Sequence, residues 1–317
     1  MANWGRFGGR RVRTVVGLMV GMSFGLAIVP QAAAMAAQVQ ARRQFLTIDL
    51  PGATATSVLA VNDAGILTGT YNDASGVIHG FVEAGSEVVS FDPPGATETF
   101  PSGINDQGTI SGTYADAGGA LHGFIRSPTG TFTVVNDPLA STGKGLGTQI
   151  ETINDHGDFV GYYTDSQGVW QPYVNRAGRF VPVIVPAAGS SSNTFLQGIN
   201  NAGVMDGYYV GSDNVGHGFV DSSGNITVFN ANRSVGCTCA LSISNSGVIV
   251  GTIFGHHGVV HGFTLQAYRF SALNDPAAGS RKDQGTTAYG IDEQGDVVVG
   301  SYVDSAGVTH GFLVHLE

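Results

Sequence analysis

The sequence predicts an all-β fold, a six-bladed β-propeller of four-stranded blades. Three observations predict it: one phrase written six times, four strand-and-turn segments per copy, and incomplete units at the two ends that complete each other. The phrase Ile-Asn-Asp-x-Gly-x-x-x-Gly-x-Tyr stands at Ile104–Tyr114 and Ile153–Tyr163, with variants starting at Val61, Ile199, Ile243 and Ile291. Its turn glycines, Gly65, Gly108, Gly157, Gly203, Gly247 and Gly295, are 43, 49, 46, 44 and 48 residues apart. Self-similarity at such a period marks a repeat architecture. A second phrase, His-Gly-Phe, opens at His79, His122, His217, His261 and His310, and the third unit writes Gln171-Pro172-Tyr173 instead.

The second unit shows how each segment is assigned. Its first strand runs up to Ile104, and Asn105-Asp106-Gln107-Gly108 makes a tight turn. Asn and Asp suit the early turn positions, and Gly108 can take the left-handed conformation that closes it. Thr109 to Tyr114 forms the second strand, Asp116-Ala117-Gly118-Gly119 turns the chain, and Leu121 to Arg126 forms the third. Pro128-Thr129-Gly130 turns it again before a fourth strand, Phe132 to Val135. Four strands in about 46 residues is the size of a propeller blade.

Closure follows from the ends. Gln44 to Ala53 reads like the fourth-strand phrases of Val88–Ala96 and Thr133–Ala140, yet it precedes the first complete unit. The sixth unit stops after its third strand at His310-Gly311-Phe312. The N-terminal strand is therefore expected to complete the last blade, which leaves no open terminal sheet. An open β-solenoid or a large sandwich is the competing architecture.

Composition agrees with a β fold and narrows the setting. Gly makes up 48 of 317 residues, and 12% are charged. Residues 1–36 read as a secretory signal peptide: Arg6, Arg10, Arg11 and Arg13, then the apolar run Thr14 to Val29, then small residues at Ala32 to Ala36. The Arg10-Arg11 pair hints at twin-arginine export, but Val12-Arg13-Thr14 lacks the apolar residues expected after it. Residues 37–43 are read as a short linker and 44–317 as the propeller. Removing 1–36 takes four of the 14 basic residues and none of the 24 acidic ones, leaving a net charge of −14. Such acidity argues against nucleic acid or an anionic membrane as partner. A soluble, secreted monomer, extracellular or periplasmic, is the expectation.

Internal repetition separates scaffold from function: what recurs in every unit serves the unit, and function is sought where one unit departs. Third strands lie roughly 15 Å from the axis at about 4.8 Å per strand, so the His-Gly-Phe imidazoles cannot converge on one metal. They are expected to bond neighbouring turns. Asp73, Asp116, Asp165 and Asp304 are expected to start hairpin turns by accepting backbone N–H bonds. Glycines Gly69 to Gly300 in the second strands mark close backbone approach, and Gly300, one residue late, predicts a local bulge.

The Asn-Asp-x-Gly-x-x-x-Gly-x-Tyr and His-Gly-Phe phrases resemble those of bacterial extracellular HAF-repeat proteins, over about residues 44–317. This chain writes Gly for the Ala of the family's His-Ala-Phe. The resemblance implies export and repeats, and no reaction.

Departures from the repeat supply the candidate residues. Tyr162 and Tyr208 stand where other units have Thr or Ser, and Trp170 precedes the altered third-unit phrase. Aromatic faces of this kind stack against sugar rings or pack neighbouring blades. The loops from Asn136 to Glu151 and Asn274 to Tyr289 carry both lysines, Lys144 and Lys282, with Arg281; Arg233 lies in a similar loop. These cations on one face could receive an anionic group such as a uronic or sialic acid carboxylate. Cys237-Thr238-Cys239 offers a labile disulfide, free thiols or a soft-metal site. His256-His257 with His261 makes only a weak metal signal, so no metal and no cofactor is expected. Glu98 and Glu151, read as joining-loop residues, would be the carboxylate pair of a glycosidase. The leading expectation is a non-enzymatic propeller binding extracellular or cell-surface polysaccharide or protein. A carbohydrate-active hydrolase or lyase and a purely structural surface protein are the alternatives.

Overall fold

The computed structural model describes residues 43–189, 193–231 and 236–316, all within the compact unit Gln40–Glu317. The leader, the linker up to residue 42, Arg233 and the His256 side chain lie outside the described residues. Together with β1 (Phe45–Ile48), the strands make six sets of four antiparallel strands. Blade 1 is β2 (Ala55–Val61), β3 (Leu67–Asn72), β4 (Ile78–Ala84) and β5 (Glu87–Phe91). Blade 2 is β6 (Glu98–Ile104), β7 (Ile110–Ala115), β8 (Leu121–Arg126) and β9 (Phe132–Val135). Blade 3 is β10 (Thr148–Ile153), β11 (Phe159–Thr164), β12 (Trp170–Arg176) and β13 (Arg179–Pro182). Blade 4 is β14 (Thr194–Ile199), β15 (Met205–Val210), β16 (Gly216–Ser222) and β17 (Asn225–Phe229). Blade 5 is β18 (Thr238–Ile243), β19 (Ile249–Phe254), β20 (Val260–Gln266) and β21 (Arg269–Leu273). Blade 6 is β22 (Gly285–Ile291), β23 (Val297–Val303) and β24 (Thr309–His315), completed by β1 in antiparallel register, Phe45 opposite Val314 and Ile48 opposite Gly311. The ring closes as the two sequence ends require.

Each blade contributes the same wedge of core. Phe81, Phe124, Phe219, Phe263 and Phe312 of the His-Gly-Phe phrase are at most 1% exposed, and Tyr173 replaces them in blade 3. A Cβ on Gly69 would stand 2.0 Å from the Ser57 carbonyl oxygen, so only glycine lets β3 approach β2 so closely. The same approach recurs at Gly300. Gly300 pairs with Ala288 as Gly69 pairs with Val58, so the extra residue of unit six is not a bulge beside Gly300. It is absorbed in the turn, where the Asp292 N–H reaches Val297 rather than the four-residue spacing of Asn62 to Ile66.

Neighbouring blades are tied by the turn asparagines. In Asn105, Oδ1 accepts the Thr109 N–H at 2.9 Å, closing the turn, while Nδ2 donates to the Asn154 carbonyl of the next blade at 3.1 Å. Asn62, Asn154 and Asn200 make the same two bonds, so a buried belt runs from blade 1 to blade 5. Ser244 and Asp292 lack the amide donor. There the backbone takes over, with Asn245 N donating to the Glu293 carbonyl and Gln294 N to Asp63 Oδ1.

The histidines clamp five of the six blades at the opposite end. His79 Nδ1 meets Asp92 at 2.7 Å, and His122, His217, His261 and His310 meet Asn136, Asn230, Asn274 and Asp49 in the same way. His122 and His217 also reach Asp116 and Asp213 of the preceding turn at 3.1 Å. In blade 3 the Gln171 amide donates to Asp165 at 2.8 Å. Those aspartates accept backbone N–H bonds within their own turns, as Asp73 does from Ser75 and Val77. Imidazole and carboxylate thus serve the unit, as their recurrence implies.

Asn105→Ala is expected to cost about 2–4 kcal/mol, since two bonds go and a buried carbonyl loses its partner. Urea unfolding that shows no loss would contradict the belt. The bond to Asp92 raises the His79 pKa. A raised folded value means the contribution is complete below about 6.5 and is lost as pH rises through the folded value. His79→Gln, the exchange blade 3 already carries, should remove this dependence. Melting curves of parent and variant should therefore draw together as pH rises from 6 to 9, and a constant gap would count against the clamp.

Candidate functional site

Every inner strand carries a bulge. Pairing skips a residue between Val58 and Ala60, and at equivalent places in the other five blades. Bulges re-aim side chains and are enriched beside functional sites. The skipped residues are Leu59, Ser102, Gln197, Leu241 and Tyr289, with Glu151 and Thr152 both unpaired in blade 3, so this position varies where most of the unit repeats. In blades 2, 3 and 4 it is polar, and those side chains meet. Ser102 and Tyr162 face the Glu151 carboxyl, and Gln197 faces Tyr162. The Tyr162 hydroxyl donates to Gln149 Oε1 at 3.4 Å.

Burial governs the chemistry of this cluster. Loss of hydration pushes Glu151 up to about 7, against which the Tyr162 and Ser102 hydroxyls act. Burial, then the Glu151 charge, pushes Tyr208 up to about 12 and raises Tyr162 well above its ordinary value. The result is a set of hydroxyl, amide and carboxyl groups on the inner wall of blades 2 to 4.

Aromatic rings adjoin it at the seam of blades 3 and 4. Tyr162 meets Trp170 edge-on with centroids 5.0 Å apart and meets Phe195 at 5.1 Å, while Tyr208 stacks on Phe195 at 4.8 Å. Tyr162 is buried, whereas Trp170, Phe195 and Tyr208 stay partly exposed. The structure thus brings together Tyr162, Trp170 and Tyr208. It does not bring the cations to them as a group. Lys144 lies against Gly119 of blade 2 and Lys282 against Gly258 of blade 5, three blades apart around the ring, with Arg281 beside Lys282.

One further sequence reading changes and two others are narrowed. Glu98 and Glu151 are not in loops: Glu98 opens β6, exposed, and Glu151 sits inside β10. Cys237 and Cys239 are joined by a disulfide at the start of β18. His261 Nδ1 meets Asn274 at 3.3 Å, and its ring lies against Gly255 at the start of the His256–Gly258 turn.

The opposite end of the axis carries a ring that the sequence reading overlooked. Asp63, Asp106, Asp155, Asn201, Asn245 and Glu293 follow the belt residues, and Asp63 N, Asp106 N, Asp155 N and Asn201 N each donate to the next side chain at 2.8–2.9 Å. Asn245 and Asn201 both donate to Glu293 Oε2. Asp106, Asp155 and Glu293 place carboxylate oxygens within 4.8 Å of one another, the one such group among the described residues. Hard cations take oxygen ligands of this type. Beside the ring, a groove of about 610 Å³ between blades 2 and 3 is lined by Gln107, Thr109, His156 and Phe159 among others. The Asn-Asp phrase could have revealed the ring, since its second residue recurs as Asp, Asn or Glu in all six units.

No protein-family model matches the chain, and no curated protein matches it. Solved structures do. The β-propeller domain of the Trilobed protease from Pyrococcus furiosus, with an open velcro topology, has TM-score 0.53 at 10% identity, covering 85% of this chain and 95% of that one. AofleA from Arthrobotrys oligospora gives 0.53 at 11% identity, covering 86% of each chain. The fucose-specific lectin from Aleuria aurantia gives 0.51 at 14% identity, covering 84% and 93%. At these identities the likeness is one of fold, and it places the chain among six-bladed propellers.

Burial, then the Asp155 charge, lifts Glu293 to about 7. An acid raised in the folded state weakens the fold as pH climbs from its ordinary 4.5 to that value. Glu293→Gln should therefore melt above the parent at pH 8 and level with it near pH 4. A gap that does not change with pH would show the ring carboxylates to be uncoupled.

Proposed function

We propose that this chain is an exported, non-enzymatic propeller that binds carbohydrate, an extracellular or cell-surface polysaccharide. One observation carries the reading: the polar bulge residues Ser102, Glu151 and Gln197 adjoin the partly exposed rings of Trp170, Phe195 and Tyr208. A sugar ring offers an apolar face to an aromatic side chain and hydroxyls to amides and carboxyls, so this pairing suits it. The fold supports the reading, since the Aleuria aurantia protein on the same architecture is a fucose-specific lectin. Export rests on the leader sequence, and the HAF-repeat resemblance agrees with it. The recurring His, Asp and Asn residues are occupied within the scaffold, which leaves the departures in blades 2 to 4 to make contacts.

A glycan panel followed by titration calorimetry tests the proposal. Trp170→Ala should weaken binding of the best saccharide at least tenfold while leaving the melting temperature within a few degrees. Unchanged affinity in that variant would remove the aromatic part. Release of shorter sugars during incubation would point instead to a hydrolase or lyase.

A further inference from the structure

Beyond the carbohydrate reading, and resting on it, the bulge cluster constrains which saccharide fits. Four observations bear on charge. The Glu151 carboxyl is met by Tyr162 and Ser102, and no Lys, Arg or His is among its partners. Gln149, Gln197 and Tyr208 complete the surroundings, all uncharged groups that give and accept hydrogen bonds. The lysines that could neutralise an incoming anion lie over Gly119 and Gly258, on the turns after the second strands of blades 2 and 5. The far end of the axis adds Asp63, Asp106, Asp155 and Glu293.

We infer that the ligand of this site is a neutral, hydroxyl-rich saccharide, and that uronic and sialic acids are excluded from it. A ligand carboxylate entering here gives up hydration and faces Glu151, which has no cationic partner among the described residues. A buried charge without a partner is strongly disfavoured. A sugar hydroxyl meets no such opposition: it donates to the Glu151 carboxylate or to Gln197 Oε1, or accepts from the Gln197 amide. Selection thus comes from the charge of Glu151 as much as from the shape of the rings. The anionic sugars that the scarce cations suggest in the sequence are the ones this site turns away.

The experiment is titration calorimetry of the full chain with matched trisaccharides. Galactose, glucose, mannose and fucose forms supply the neutral arm. Galacturonate and its methyl ester supply a pair that differs by the charge and one methyl group. The expected result is a neutral trisaccharide bound at least tenfold more tightly than galacturonate, with the methyl ester recovering most of the gap. Glu151→Gln should narrow the gap between ester and acid at least threefold. Should that variant fail to fold, Gln197→Glu, which adds a second carboxyl, should widen it. Galacturonate bound as tightly as its ester would overturn the inference while leaving carbohydrate binding intact. No binding to any of these sugars would overturn the carbohydrate reading itself.

Discussion

The ring depends on one repeated bond, the turn asparagine that closes its own hairpin and holds the next blade. Asn105 shows why no other side chain serves as well. It must accept from the Thr109 N–H and donate to the Asn154 carbonyl at once, and only an amide does both at this reach. Both bonds are buried, so each is costly to leave unmade. The belt runs through four junctions, and the two that lack an asparagine are held by backbone donors of Asn245 and Gln294. Everything nearer the axis, including the bulges and the acidic ring, is positioned by it.

A scaffold fixed by repetition gives asymmetry a place to act. The bulge re-aims one residue per inner strand, and that position carries little of the fold. Leu59 and Leu241 leave it apolar in blades 1 and 5, whereas Ser102, Glu151 and Gln197 make three consecutive blades polar. Glu151 then sits among groups that withhold water without offering a cation, which is what lifts its pKa to about 7. Tyr162 links this wall to the rings at the seam, because it faces Glu151 with its hydroxyl and Trp170 with its ring.

The sequence makes much of the scaffold legible, and the site much less. Strand limits in blade 2, closure by β1, the burial of the His-Gly-Phe phenylalanines and the turn role of the aspartates all follow from spacing within a unit. Spacing also shows that the histidines cannot share a metal. What it does not show is which residues of different blades meet. Glu151 reads as a loop residue because its neighbours Thr148 and Gln149 follow a Gly-rich stretch, yet β10 begins there. Lys144 and Lys282 share a face in sequence terms, but the ring sets their blades opposite each other. The late Gly300 signals an insertion whose place, in the turn, depends on pairing that the sequence does not display.

The central claim is that this propeller works where its repeat is broken. Amide and side-chain NMR shifts on adding a neutral trisaccharide test it most directly. The expected shifts are confined to Ser102, Glu151, Tyr162, Trp170, Gln197 and Tyr208. Shifts spread evenly over the equivalent positions of all six blades would contradict it, because the repeat itself would then be the binding unit.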